Sequence, residues 1–468
     1  MRQGLSEVKQ LPSVGRGIAI STIGNLGAPL VALISAPILA QSLGVTSRGE
    51  VAAATAPLLL AVNAITLGLP EAITYFTASG KRDNTRVIAK GSLYLVVLGL
   101  AGSLALWVLA PMLAPPESPI LQAMSLAALA LAPSLLLGGI RAYAAGQGRW
   151  ALISIERFFS AILRLVAFLV LVALDSLTVL SASVTIAVSS FVGLAIYLYL
   201  LRKGPTLQAT SRVRRKIPLF SYGTRVWVGA LTGILLSRLD QVLMIPLSTA
   251  YQIGLYAVAV SISEVTLIFN SAVRDVLFSA ESVKANDSRL TRASRVSTFL
   301  TLLGAILVGV SSVWLVPVLF GDDFAGSVIV VEILLLGVLL GNPGSVAGAG
   351  LSARGRPGLR SVALSIAFAG NLCMVFLLVP SYGAIGAAWA TLLGNVTAGV
   401  MCVIFMRTHF KFSIASFYGI RSGDLARLAT ILRSSGTKTT SAKDEMSVAL
   451  EPSASTRPKP RCIDPRGW

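Results

Sequence analysis

Long apolar runs alternate along this chain with short gaps, and the charge of each gap depends on whether it is odd or even. The runs are Gly17–Ser42, Val51–Ala78, Val87–Leu113, Ile120–Ala145, Leu152–Leu174, Leu177–Leu201, Ile217–Leu247, Tyr251–Ala280, Val296–Phe320, Val328–Leu351, Leu359–Val379 and Ala384–Met406. A helix crosses the hydrocarbon core in roughly 20 residues at 1.5 Å of rise each, so all twelve runs qualify as spans. Cations gather before run 1 (Arg2, Lys9, Arg16) and after runs 2, 4, 6, 8 and 10, for example Lys81 and Arg82, Arg149, Arg212 to Lys216, Lys284 and Arg289, and Arg354 and Arg356. The other gaps hold Glu117, Asp175, Asp322 and Asp323, with Arg48 as their one cation. The positive-inside rule then predicts a multi-pass membrane protein with both termini cytoplasmic.

Composition supports a membrane fold and excludes other classes. The chain is 54% hydrophobic and only 13% charged, against about 25% charged in soluble proteins. Its net charge of +19 would suggest nucleic acid in a soluble chain. Here the cations sit in short loops and a tail, where topology and attraction to anionic membrane lipids explain them, and no nucleic-acid partner is expected. Cys373, Cys402 and Cys462 have neither disulfide nor zinc-site spacing, and His409 stands alone, so no metal site or cofactor is expected. There is no phosphate-binding loop, nucleophile elbow or carboxylate pair, and the chain is not expected to be an enzyme.

The runs divide into two sets of six. Gln147-Gly148-Arg149 falls on Arg354-Gly355-Arg356 when the second half is laid over the first, and Gly49 falls near Gly254. With six spans each, the halves enter the membrane in the same sense, as two lobes related by an axis along the membrane normal. The predicted fold is all-α, twelve transmembrane helices in two pseudo-symmetric six-helix lobes around a central cavity. The boundaries are 1–201 for the first lobe, 202–216 for a cytoplasmic linker, 217–407 for the second lobe and 408–468 for a cytoplasmic tail. In the tail, Phe412, Ile414, Phe417, Leu425, Leu428 and Leu432 suggest one or two short interfacial helices, with Arg421, Arg427 and Arg433 toward lipid headgroups, and the Ser/Thr/Pro/Lys-rich stretch from Ser434 suggests disorder.

Ionisable residues inside the spans are the functional candidates, since each costs about 2.5 to 3.5 kcal/mol at a helix centre. Run 7 carries Arg225, Arg238 and Asp240, and run 8 carries Glu264, with Arg274 and Asp275 lower down. Glu264 lies about 20 Å from the start of its run, near the bilayer midplane. Arg238 and Asp240 are two apart and cannot face one another. Glu71, Asn63 and Asn25 are the polar candidates of runs 1 and 2. Arg48, Glu50, Arg274 and Asp275 read as interfacial or solvated. Arg164 is too deep to snorkel, leaving an ion pair or a cavity position. Pro29, Pro37, Pro57, Pro70 and Pro343 are candidate hinges.

Leu43-Gly44 with Gly49, Gly68-Leu69, Ser237-Arg238-Leu239-Asp240 and Gly254-Leu255-Tyr256 resemble, in order and spacing, recurring positions of the polysaccharide-export flippases (Wzx type) of the multidrug, oligosaccharidyl-lipid and polysaccharide exporter superfamily. The resemblance covers Gly15 to about Arg407. It implies alternating access through a cavity lined by helices 1, 2, 7 and 8, carrying a polyprenyl-diphosphate-linked oligosaccharide. It makes Arg225, Arg238, Asn25 and Asn63 the substrate-binding candidates, and Asp240, Glu264 and Glu71 candidates for proton or sodium coupling or for holding the arginines. A polysaccharide polymerase or glycosyltransferases would be the protein partners. A lipid II flippase, a multidrug exporter of the same superfamily and a non-transporting scaffold remain alternatives. A major facilitator transporter does not, because Ser79-Gly80-Lys81-Arg82-Asp83 lacks that group's loop pattern.

Overall fold

A computed structural model of the chain describes residues 14–78, 84–197, 219–283, 286–419 and 421. The elements are α1 (Val14–Ala64), α2 (Leu69–Ala78), α3 (Asn84–Leu113), α4 (Pro119–Ala128), α5 (Leu131–Gly146), α6 (Trp150–Ala173), α7 (Val179–Ser189), α8 (Leu219–Leu247), α9 (Ala250–Val283), α10 (Asp287–Phe320), α11 (Ser327–Ala353) and α12 (Pro357–Phe410). Among the described residues there is no strand. The predicted linker 202–216 and the tail beyond 421 lie outside the described residues.

Two of these helices are too long to be single spans. At 51 residues, α1 would run about 75 Å if straight, more than twice a hydrocarbon core. It is folded at Gly44, whose φ of 74° and ψ of 175° suit a residue without a Cβ. The 54-residue α12 is likewise folded at Gly383, with φ 53° and ψ −125°. The reversal there is tight enough that a Cβ on Gly386 would strike the carbonyl of Leu378.

Among the described residues, seven helices are long and apolar enough to cross a membrane, or nine when the bent pairs α1/α2 and α4/α5 each count as one. The other three spans of the sequence pattern are the arm of α1 before Gly44, the second arm of α12, and α6, which carries Glu156, Arg157 and Arg164. The fold is therefore the all-α, twelve-span membrane architecture expected.

The hinge positions differ from expectation. The helix continues through Pro29, Pro37 and Pro57 in α1 and through Pro343 in α11. The break in the second span falls instead at residues 65–68, where Leu67 (φ 48°) and Gly68 (φ 68°) are left-handed. Pro70 follows as the second residue of α2, where its missing N–H leaves no carbonyl unpaired. A second break, at 129–130, separates α4 from α5. In apolar surroundings a proline forfeits one backbone bond, whereas unwinding would expose several polar groups, so the helix holds.

The turns divide between two ends of the bundle. Gln41 Nε2 donates to the Leu319 carbonyl (2.9 Å), Ser327 Oγ to the Leu255 carbonyl (3.0 Å), and the Ala384 N–H to Gln252 Oε1 (3.0 Å). These bonds gather the Gly44, Ser248, Gly321 and Gly383 turns at one end, called here the Gly44 end. The turns at Gly148 and Gly355 lie at the other. They are conformational twins: φ is 73° and 78°, and each is followed by an arginine N–H bonded five residues back, Arg149 to Ala144 (2.9 Å) and Arg356 to Leu351 (3.0 Å). This is the glycine-terminated helix end that the repeated Gly-Arg pattern encodes.

Packing follows membrane rules. Leu93, Val97, Leu100, Leu104 and Trp107 of α3, and Leu303, Leu307, Val310, Trp314 and Val318 of α10, form exposed apolar faces suited to lipid. Inside, Gly337, Gly341, Gly344 and Gly348 of α11 meet Leu392, Asn395, Gly399 and Cys402 of α12, so the two backbones run parallel in close contact. The residues after α12 fold back onto the bundle as far as they are described. Phe412 and Phe417 are buried in a core with Leu290, Val346 and Met406 and do not lie on a lipid interface. Ser294 Oγ bonds the Phe417 carbonyl (3.1 Å) and Arg295 Nη1 the Ser416 carbonyl (2.8 Å), which ties this turn to α10.

Candidate functional site

The lobes touch at both ends and leave a cavity between. At the Gly44 end, Gly49 packs on the backbone of Ala250 and Gly254 while Gly254 packs on Val45. At the Gly148 end, Gly68 and Gly223 are in backbone contact, and Trp227 Nε1 donates to the Ala64 carbonyl (2.6 Å). The inter-lobe cavity, of about 190 Å³, is bordered by α1, α6, α7, α8 and α9, with Arg48, Arg164, Arg238 and Glu264 as its charged lining. A larger cavity of about 390 Å³ lies within the second lobe, between α8, α9, α11 and α12. Arg238 and Glu264 border both.

Arg238 reaches this position because α8 turns about 200° between it and Asp240, sending the two side chains to opposite sides. Its Nη2 lies 2.8 Å from Glu264 Oε1 on α9, and both side chains are about 40% exposed to the cavities. The pair thus forms the partition between the two chambers. Asp240 is buried among donors. It accepts from the Tyr256 hydroxyl, from Thr391 Oγ1 (3.0 Å) and from the Gln241 N–H (2.8 Å), so its carboxylate knits α8, α9 and α12 together. Its partners are two hydroxyls and a backbone N–H, not an arginine, so the geometry suits joining these helices.

Other sequence candidates lie elsewhere. Asn63 is exposed and donates to the Leu59 carbonyl of its own helix (2.8 Å), and Glu71 is exposed in the first turn of α2; neither borders the two cavities. Glu71 lies beyond the break at 65–68, where α2 is bent by about 40° from the helix before it. Asn25 and Arg225 fall within α1 and α8, but their side chains lie outside the described residues, as do those of Arg274 and Asp275.

Two arginines take their place. Arg48, read from sequence as a solvated residue at the membrane surface, turns inward beneath the Gly49 contact, and its buried Nε has no hydrogen-bond partner. Arg164 faces the same space from α6. Among the described residues neither forms an ion pair, so three guanidiniums share the cavity with one carboxylate. The sequence held a hint for each: Arg48 is the one cation on its side of the charge pattern, and Arg164 is too deep to reach water along its own helix.

Not every intramembrane charge belongs to a cavity. Glu156 of α6 is fully buried, accepts from Arg141 Nε (2.6 Å) and Nη2 (2.8 Å) and from Ser160 (3.2 Å), and lies against Gly193. At the Gly148 end, buried Glu281 pairs with Arg289 (2.9 Å) and Arg354 (3.2 Å), and Arg354 also reaches Asp287 (2.8 Å) while stacking 4.9 Å from the Phe412 ring. These bidentate and stacked arrangements are what arginine supplies and lysine does not. They join helices. No group of three or more His, Cys, Asp or Glu able to hold a metal occurs among the described residues.

Comparison with known proteins agrees with this architecture. The sequence profile of a family described as "Polysaccharide biosynthesis protein" matches residues 14–280. A probable low-salt glycan biosynthesis flippase, Agl15, of Haloferax volcanii is 26% identical over 182 residues, 37% of this chain and 39% of that protein. An uncharacterized membrane protein of Methanocaldococcus jannaschii is 27% identical over 201 residues, 40% and 39% of the two chains. The aligned stretch thus spans well under half the length of these curated relatives. Among solved structures, the lipid II flippase MurJ in an inward closed conformation superposes with a TM-score of 0.68 at 13% identity, covering 90% of this chain and 94% of that one. An inward-facing multidrug resistance MATE family transporter of the MOP superfamily gives 0.67 at 15% identity, covering 85% and 98%. At such identities the likeness is one of fold.

Proposed function

Because this chain belongs to the polysaccharide biosynthesis protein family, matched over residues 14–280, we propose that it is a flippase moving a polyprenyl-diphosphate-linked oligosaccharide across the cell membrane. The observation that carries this reading is the charge of the inter-lobe cavity, where, among the described residues, Arg48, Arg164 and Arg238 face Glu264 alone. A diphosphate diester carries about two negative charges, the amount that would neutralise this excess, and a guanidinium can grip phosphate oxygens bidentately. A lipid-linked headgroup would bring its charge into the cavity and leave its hydrocarbon among the lipid-facing helices. Cationic drugs would meet repulsion here, which weighs against multidrug export.

In this reading the lobes rock about the cavity, opening the Gly49/Gly254 contact and the Gly68/Gly223 contact in turn. The Gly148 end, rich in cations, faces the cytoplasm of the inner (plasma) membrane, and transport is coupled to protons or sodium without a bound cofactor or an enzymatic step. A polymerase or glycosyltransferases would act on the same glycan. The deciding experiment is surface-polysaccharide analysis in cells carrying Arg48→Ala, Arg164→Ala or Arg238→Ala, with inserted protein measured alongside. Export should fall by about tenfold or more for each, as expected for losing a charge-assisted bond to a desolvated anion. Unchanged export by all three stably inserted variants would overturn the proposal.

A further inference from the structure

Glu264 occupies the place an anionic ligand would need. Its carboxylate is 2.8 Å from Arg238 and is, among the described residues, the one negative charge lining the inter-lobe cavity. It also borders the second-lobe cavity, which leads away from Arg48 and Arg164. Resting on the diphosphate reading above, we propose that Glu264 is a built-in competitor: the substrate's diphosphate displaces it from Arg238, and the released carboxylate takes up one proton through the second-lobe cavity.

The charges around Glu264 set the direction of the exchange. From α1 it faces Arg48, from α6 Arg164, and from α8 Arg238. Across the second-lobe cavity α8 also presents Asp240, α9 itself presents Tyr256, and α12 presents Arg360 and Cys402. α11 brings only uncharged polar groups such as Asn342 and Ser345 to that cavity. Asp240 is engaged by Tyr256 and Thr391 and has no need of Arg238. While Glu264 holds Arg238, the two charges compensate one another across 2.8 Å. Once a dianion replaces it, the same carboxylate lies beside negative charge in a partly desolvated space, and its neutral form is favoured. The proton comes from water on the side to which the second-lobe cavity opens, and one proton is bound for each ligand bound. By linkage, lower pH then tightens binding and ligand binding promotes protonation.

Calorimetric titration of the purified full-length protein in detergent tests this with methanedisulfonate, a dianion that does not itself titrate between about pH 5 and 9. Wild type should bind it more tightly at pH 5.5 than at pH 8 by about a hundredfold or more, since uptake of one proton per ligand changes affinity about tenfold per pH unit. About one proton should be taken up per ligand, read from the enthalpy in two buffers of different ionisation heat. Glu264→Gln should bind tightly at both pH values with no proton uptake, whereas Glu264→Asp should restore the pH dependence. If Arg238→Ala abolishes binding but Glu264→Gln matches wild type in affinity and proton uptake, the competitor role fails and the diphosphate reading stands. Proton uptake that persists in Glu264→Gln would transfer the role to Asp240 and likewise overturn the assignment. Equal binding by wild type, Arg48→Ala and Arg238→Ala, or binding by none of these and not by Glu264→Gln, would overturn the diphosphate reading itself. Should Glu264→Gln not remain monodisperse, absence of proton uptake by wild type suffices to reject the proposal.

Discussion

Gly49 and Gly254 hold equivalent positions in the two halves of the chain, and each packs against the residue four before the other: Gly49 on Ala250, Gly254 on Val45. Such reciprocity marks an interface built around a twofold axis. Neither position has room for a Cβ, so a side chain there must push the lobes apart at this end. Gly49→Val and Gly254→Val should therefore hold the Gly44 end open. With the native cysteines replaced, a cysteine at Ser35 or Ser261 should become reactive to a membrane-impermeant thiol reagent from that side, and export should drop by at least about tenfold. Unaltered labelling in both variants would show that the contact is not a gate.

Orientation has a direct test. If the cation-rich Gly148 end is cytoplasmic, a cysteine replacing exposed Arg356 should be labelled only after the membrane is permeabilised, and one replacing exposed Asp323 should be labelled in intact cells. The opposite pattern would invert the protein and the transport cycle with it.

Asp240 should behave as a structural residue. An amide at this position presents a donor to two hydroxyls and a backbone N–H that now donate to the carboxylate, leaving at least one buried group unpaired at about 1 to 3 kcal/mol. Asp240→Asn should lower the melting temperature in detergent by several degrees, and Tyr256→Phe by less. A variant that melted like wild type yet lost transport would return Asp240 to a role in coupling.

The Arg141–Glu156 pair separates helix joining from transport. Removing one partner strands a buried charge, a loss of about 3 to 5 kcal/mol, whereas replacing both by apolar residues of similar size can be nearly neutral. Arg141→Met and Glu156→Leu should each reduce the amount of folded protein, and the double variant should recover most of it. Recovery of stability without recovery of export would reveal a functional role for the pair.

What could be read from the sequence followed from how each feature is encoded. Span number and the lobe repeat depend on local composition, and the paired Gly148 and Gly355 turns show how closely the halves match. The broken second span was hidden because Leu67-Gly68 sits between apolar Ile65 and Leu69 in a run that reads as one span, while Pro57, the more conspicuous breaker, remains helical. Arg238 and Glu264 stood out as deep charges on adjacent spans, but their pairing depends on how α8 and α9 are rotated about their axes. Arg48 required knowing that the Gly49 contact closes over it. Such facing relations arise only when helices pack, and hydropathy along one helix carries no record of them.

The glycine row of α11 also makes a ruler. With Gly337, Gly341, Gly344 and Gly348 seated on α12, these two helices have no slack along which to slide or splay. Spin labels placed one on each would keep a constant separation in every state of the protein. Labels divided between α11 and α3 would change theirs as the protein works, so a single pair of distance distributions can separate bending within the second half from rocking between the halves.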